Sequence, residues 1–154
     1  MNISGMIAKK YIIEDLKSRR KNDALKELTA VFGLDNAPEG NNQTVKVLLE
    51  REKLGSTGIG EGIAIPHGKV SGIEKIYIGF GRSKAGVDFN ALDGRPVHLF
   101  FVLLAPENSS STHLKALAKL SRMLMDQPFR EHLMKAGSAD AIYSAIVDMD
   151  QRVI

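Results

Sequence analysis

The segment Val97-His98-Leu99-Phe100-Phe101-Val102-Leu103-Leu104 is apolar at every position but one. A strand with one face in water alternates apolar and polar side chains, so an unbroken apolar run predicts a strand covered on both faces. Its neighbours must therefore supply two layers. Lys75-Ile76-Tyr77-Ile78-Gly79-Phe80 alternates as a second strand, and Gly62-Ile63-Ala64-Ile65 before Pro66 reads as a short third. Ile12-Ile13 offers another near the N-terminus.

Helices flank these strands. Ala24, Leu25, Leu28, Val31 and Phe32 recur at helical spacing ahead of Gly33, predicting a helix from about Asn22 to Phe32. A polar turn over 36–42 precedes a second helix that carries Val45, Leu48 and Leu49 and closes at Gly55. Three more helices are expected after the apolar strand. One begins near Thr112 with Leu117, Leu120 and Leu124 on one face, one runs from Pro128 to Gly137, and one is capped by Ser138 and buries Ile142 and Ile146. Strands in the middle with helices before, between and after predict an α/β three-layer sandwich, a β-sheet with helices on both faces. With 154 residues, a chain buries about two-thirds of its extended surface, enough for one core. A single domain over 1–154 holds every element.

Composition narrows the function classes. The absence of cysteine excludes disulfide scaffolds, thiol catalysis and cysteine-ligated zinc or iron–sulfur sites. Lys9, Lys10, Lys17, Arg19, Arg20 and Lys21 form a basic cluster, but Glu14 and Asp15 interrupt it and aromatic residues make up only 6% of the chain. That pattern predicts a solvated face, not a nucleic-acid reader. No apolar run approaches the ~20 residues that span a bilayer, and the N-terminus lacks a signal-peptide order, so a cytoplasmic location without membrane insertion is the expectation. Scattered histidines without HExxH or a paired carboxylate predict no metal site.

Chemistry concentrates around Gly55-Ser56-Thr57-Gly58-Ile59-Gly60-Glu61-Gly62, read here as a loop. It matches neither common phosphate loop. Glu61 stands where a P-loop needs Lys, Ile63 stands where a dinucleotide fingerprint needs a small residue, and a helix precedes it where both motifs need a strand. The loop leads to Pro66-His67-Gly68. Pro66 fixes its own φ, and Gly68 lets backbone pass close to a ligand. A histidine there, mostly neutral near pH 7.5, suits nucleophilic work, although spacing alone leaves a structural role as an equal alternative. His113 falls in the first turn of a helix after Asn108-Ser109-Ser110-Ser111-Thr112, a run of N-cap candidates. Neutral imidazole there could donate one hydrogen bond to an anion, or simply sit in water beside the cap. Arg51, in the last turn of the second helix, complements the helix dipole and could also hold phosphoryl oxygens with its planar fork. His98 reads as a satisfied core residue and His132 as solvent-facing.

The whole of Arg51–Gly68, Arg51-Glu52-Lys53-Leu54-Gly55-Ser56-Thr57-Gly58-Ile59-Gly60-Glu61-Gly62-Ile63-Ala64-Ile65-Pro66-His67-Gly68, resembles the active-site segment of a known family. This is the fructose/mannitol/nitrogen class of enzyme IIA domains of the bacterial phosphoenolpyruvate-dependent phosphotransferase system. The likeness continues through Gly86-Val87-Asp88-Phe89, Leu92-Asp93-Gly94-Arg95-Pro96-Val97, Leu103-Leu104-Ala105-Pro106 and Thr112-His113-Leu114, from about Ile12 to Ile146. The resemblance implies a mixed sheet between helices, His67 as phosphoacceptor, His113 as second active-site histidine and Arg51 as a phosphoryl-holding residue. Ser56, Thr57 and Gly58 would line the phosphate loop, with Thr57 a candidate to hydrogen-bond His67 or the phosphate. It implies a phosphorylated HPr-like carrier protein as donor and no bound cofactor for that step.

Three functions compete. With nothing but the IIA domain in the sequence, the first expectation is a standalone phosphorelay regulator of the nitrogen-related type, whose phosphorylation state alters its binding to regulatory target proteins. The second is a sugar-uptake component passing phosphate to a separate IIB. The third, a non-catalytic binding module of the same fold, gives no reason to keep both His67 and His113.

Overall fold

The computed structural model describes residues 1–34 and 43–153. The element order is β1 (Ile7–Ile13), α1 (Lys21–Ala30), α2 (Gln43–Lys53), β2 (Gly58–Gly60), β3 (Ile63–Ala64), β4 (His67–Val70), β5 (Tyr77–Val87), β6 (Val97–Pro106), α3 (Ser110–Leu124), α4 (Gln127–Lys135) and α5 (Ala139–Arg152). The expected polar turn at 36–42 lies outside the described residues.

The strands form one mixed sheet in the order β1-β5-β6-β3-β2, with β4 also paired to β6. Antiparallel β5 and β6 form its centre, β1 runs parallel to β5, and β3 and β4 run parallel to β6. Ile63 pairs with Leu99 and His67 with Leu103, the same offset. β3 and β4 are thus one strand in register, interrupted at Ile65-Pro66. Pro66 has no N–H for a ladder, which accounts for the break.

The apolar run behaves as its composition demands. Leu99, Phe101, Leu103 and Ala105 of β6 pack into one core with Ala116, Leu120 and Leu124 of α3, Phe129 and Leu133 of α4, and Ile142 and Ile146 of α5. Phe100, Val102 and Leu104 pack on the other face with Ala24, Leu25 and Leu28 of α1 and Leu48 of α2. The three-layer α/β sandwich is therefore observed. Each helix start has a local cause where the sequence offers one. Asp126 accepts from Phe129 N at 3.0 Å to cap α4, and Ser138 Oγ accepts from Ala141 N at 3.1 Å to cap α5. The first turn of α3 departs from expectation: the Ser109 hydroxyl donates to Pro106 O and makes no cap bond.

Two further differences matter. The strand expected over 75–80 extends to Val87, and the glycine-rich segment expected as loop throughout contains β2, which pairs with β3. Arg82, in the extension, is 2% exposed. Its guanidinium donates to the carbonyls of Glu14 at 2.9 Å, Leu133 at 2.8 Å and Ala136 at 2.6 Å, tying the C-terminal end of α4 to the sheet. Among the described residues, no helix is long and apolar enough to cross a membrane.

Candidate functional site

His67 opens β4 at the strand break, and its ring is set by its own backbone. Nδ1 lies 2.8 Å from the Ile65 carbonyl oxygen. A carbonyl only accepts, so Nδ1 carries the proton and the neutral ring has its lone pair on Nε2. The Ile65 N–H in turn donates to Thr57 O at 3.1 Å, and Pro66 O accepts from Leu103 N at 2.9 Å. The ring is thus fastened through Ile65 to Thr57 in the glycine loop and through Pro66 to the centre of the sheet.

α3 brings His113 to the same place. The His67 and His113 ring centroids are 5.6 Å apart at an interplanar angle of 74°. His113 is 7% exposed, which departs from the reading of a cap residue in water, and its Nε2 is a buried atom with no hydrogen-bond partner. A buried polar atom left unpaired is costly, and at an active site it marks a place where a ligand atom can complete the pairing. Burial lowers the pKa of His67 below the ordinary histidine value. The Ile65 hydrogen bond opposes this, Arg51 reinforces it and Glu52 opposes it. Burial likewise lowers the pKa of His113, reinforced by His67 and Lys69. Both rings are therefore neutral near pH 7.

Arg51 lies in the last turn of α2, as its spacing predicts, and its Nη1 donates to Gly55 O at 3.0 Å. The helix end and the loop are thereby held together by a cation whose field reaches His67. Among the loop residues, Ser56 Oγ accepts from Gly58 N at 3.0 Å, closing the turn. Gly58 passes so near the 91–92 segment that a Cβ on it would lie 2.7 Å from the Ala91 Cβ. Thr57 is buried, and its hydroxyl donates to the Glu52 carboxylate, not to His67. The structure thus brings His67, His113 and Arg51 into one electrostatic neighbourhood, while Ser56, Thr57 and Gly58 shape the loop beside it. His98 is satisfied by Ser83 O at 2.8 Å as expected but is half-buried and outside the core, and His132 is exposed as expected.

Sequence reasoning missed three participants. The Glu52 side chain is buried, paired with Lys21 Nζ at 2.8 Å, and bonded to Thr57. The signal was present, since a carboxylate at a helix C-terminus opposes the dipole and calls for a reason other than helix stability. Lys21, half-buried in that pair, does not belong to the solvated face assigned to the basic cluster. Lys69, two residues beyond His67 on β4, donates to Ser110 Oγ at the start of α3, a contact that no local pattern announces.

Residues 6–149 match the family model described as phosphoenolpyruvate-dependent sugar phosphotransferase system, EIIA 2. A nitrogen regulatory protein of Bradyrhizobium diazoefficiens is 43% identical over 146 residues, 95% of each chain. The fructose-specific EIIABC component of Bacillus subtilis is 42% identical over 153 residues, covering 98% of this chain and 24% of that longer protein. The crystal structure of nitrogen regulatory protein IIA-Ntr from Neisseria meningitidis superposes with a TM-score of 0.85 at 34% identity, over 94% of this chain and 98% of that one. A mixed sheet between two helical layers, two apposed neutral imidazoles at its strand break and a match over nearly the full length agree, and the chain belongs to the EIIA 2 family of the phosphoenolpyruvate-dependent sugar phosphotransferase system.

Proposed function

We propose that this chain is a phosphorelay protein that accepts a phosphoryl group on His67 Nε2 from a phosphorylated HPr-like carrier and regulates partner proteins according to its phosphorylation state. The observation that carries the reading is the tautomer: the Nδ1 proton is held by Ile65 O, leaving Nε2 as the nucleophile beside a buried, unpaired His113 Nε2. The Nε2 lone pair forms a new P–N bond as the donor's P–N bond breaks and its electron pair returns to the donor imidazole. Nδ1 keeps its proton throughout, so no general base is required. Phosphoryl transfer passes through a loose transition state, and the protein's work is to position groups and offset charge. Arg51 supplies the cation, and His113, as the Nε2–H tautomer, supplies a donor for a phosphoryl oxygen. The relay so proposed is a cytoplasmic one.

The regulatory reading draws on the near-full-length likeness to nitrogen regulatory proteins. The 42% identity to a fructose-specific component supports a second reading, in which the same phosphoryl group passes to a separate IIB. The test is incubation with phosphoenolpyruvate, the first enzyme of the system and HPr-like carriers. An acid-labile, base-stable phosphate is expected on the wild type and absent in His67→Ala. Failure of the wild type to take up phosphate from any carrier refutes the relay. Onward transfer to a fructose-type IIB, rather than state-dependent partner binding, selects the second reading.

A further inference from the structure

A continuous chain of hydrogen bonds leads from Lys21 to the His67 ring. Lys21 Nζ contacts Glu52 Oε1 at 2.8 Å. The same carboxylate accepts from Thr57 N at 3.2 Å and from the Thr57 hydroxyl. Thr57 O accepts from Ile65 N at 3.1 Å, and Ile65 O accepts from His67 Nδ1 at 2.8 Å. The Glu52 side chain is 4% exposed and that of Lys21 is 16% exposed, and the ammonium also lies 4.7 Å from the centre of the Phe89 ring. A buried carboxylate is costly unless it is paired and its lone pairs are filled, and here one cation and two donors of Thr57 do both. The partners come from α1, α2, the loop and the strand break, so the network ties both helices through the loop to Ile65 and, through it, to the ring.

We infer that Glu52 is a positioning residue for phosphoryl transfer, which acts through Thr57 and Ile65 to fix the tautomer and orientation of His67 and is held in charge balance by Lys21. This rests on the proposed acceptor role of His67 and adds two residues, Glu52 and Lys21, that do not touch the reacting atoms. Local chemistry gives the pair opposite influences. The Glu52 charge favours a proton on His67, whereas Lys21 offsets that charge at its source. Arg51, on the same helix, acts on the ring directly, His113 on α3 packs against it, and Lys69 on β4 acts on His113; all three are unchanged by the substitutions below.

The experiment is an imidazole titration of His67 by ¹⁵N–¹H NMR in the full chain, without any carrier, alongside the rate of phosphoryl uptake. Glu52→Gln retains an acceptor for Thr57 and removes the charge. Its His67 titration midpoint is expected to move down, with more of the Nε2–H tautomer, and uptake is expected to slow on the order of tenfold. Lys21→Met keeps an apolar stem against Phe89 and exposes the full carboxylate charge, so its midpoint is expected to move up. Charge alone would give these opposite midpoint shifts even in a network that only stabilised the loop, so the deciding readouts are the tautomer, which needs Nδ1 held on Ile65 O, and the uptake rate. A His67 tautomer in Glu52→Gln unchanged from wild type overturns the inference. Because the titration needs no phosphate, a wild type that accepts none would refute the relay and still leave the positioning role decidable.

Discussion

Arg51→Ala separates the structural use of that residue from its proposed phosphoryl-holding use, because the two differ in size. The structural use is one exposed hydrogen bond, Nη1 to Gly55 O at 3.0 Å. Such a bond contributes about 0.5–1.5 kcal/mol net. The loss of a favourable charge at the helix C-terminus adds about 0.3–1 kcal/mol. At about 2–4 °C per kcal/mol for a chain of this size, the melting temperature is expected to fall by roughly 2–10 °C, with the fold intact. The chemical use is larger. Removing one preorganised group that meets developing transition-state charge costs about 10²–10³ in rate. Arg51 also lowers the pKa of His67, so its removal raises the pKa and leaves less neutral ring near pH 7, in the same direction as the rate loss. Arg51→Lys retains a charge without the planar fork and should fall between wild type and alanine. The assay is a time course of phosphoryl uptake from excess phosphorylated carrier, paired with thermal unfolding. Uptake at the wild-type rate in Arg51→Ala refutes the phosphoryl-holding role. Unfolding of the variant at room temperature shows the residue to be structural.

Three further outcomes follow from the geometry. Asp150 accepts from Ile3 N at 3.0 Å and Ser4 N at 2.9 Å and pairs with Lys119 Nζ at 2.7 Å, with both side chains almost fully buried. Asp150→Ala should destabilise by about 3–5 kcal/mol in urea unfolding while uptake by the remaining folded protein is unchanged, and a loss below about 1 kcal/mol contradicts the burial argument. Burial alone would raise the pKa of Asp150, but Lys119 and the amides of Ile3 and Ser4 outweigh it and lower the pKa. Its contribution is therefore complete above the unfolded value near 3.9 and is lost as pH falls through the lower folded value, visible as acid unfolding that Asp150→Asn blunts. For His67 and His113 the shift is also downward, so unfolded chains take up protons below about pH 6.5 while the native rings resist. Stability from these rings is complete above that pH and declines below it, and their NMR titrations should both lie under the ordinary histidine value.

Much of this was legible in the residues. The apolar run of β6 dictated two covering layers, and the leucine and isoleucine stripes of α3 and α5 located one of them. Arg51 and His113 were each placed on the right element because a helix end and a run of cap-type residues are local signals, whereas His67, expected just after a strand ending at Ile65, opens the unforeseen strand β4. The extension of β5 was not legible. Its residues Gly81-Arg82-Ser83-Lys84 carry no period-two pattern, because Gly81 sits where a Cβ would meet Leu28 Cδ2 at 2.4 Å and Arg82 spans to helix-end carbonyls far along the chain. Glu52 escaped for a related reason. Its partners Lys21 and Thr57 come from different elements, and only the folded α1–α2 pair brings the lysine to it.

The shared offset of β3 and β4 against β6 has a consequence for how the site tolerates change. The depth of His67 along the sheet is measured from Leu103, not from the end of α2. The glycine loop can therefore change length or side chains without sliding His67 along its strand, provided that Thr57 still reaches Ile65. Position is inherited from the scaffold and the surroundings are left to the loop, an arrangement in which the surface around the ring can change shape while its nitrogen stays in place.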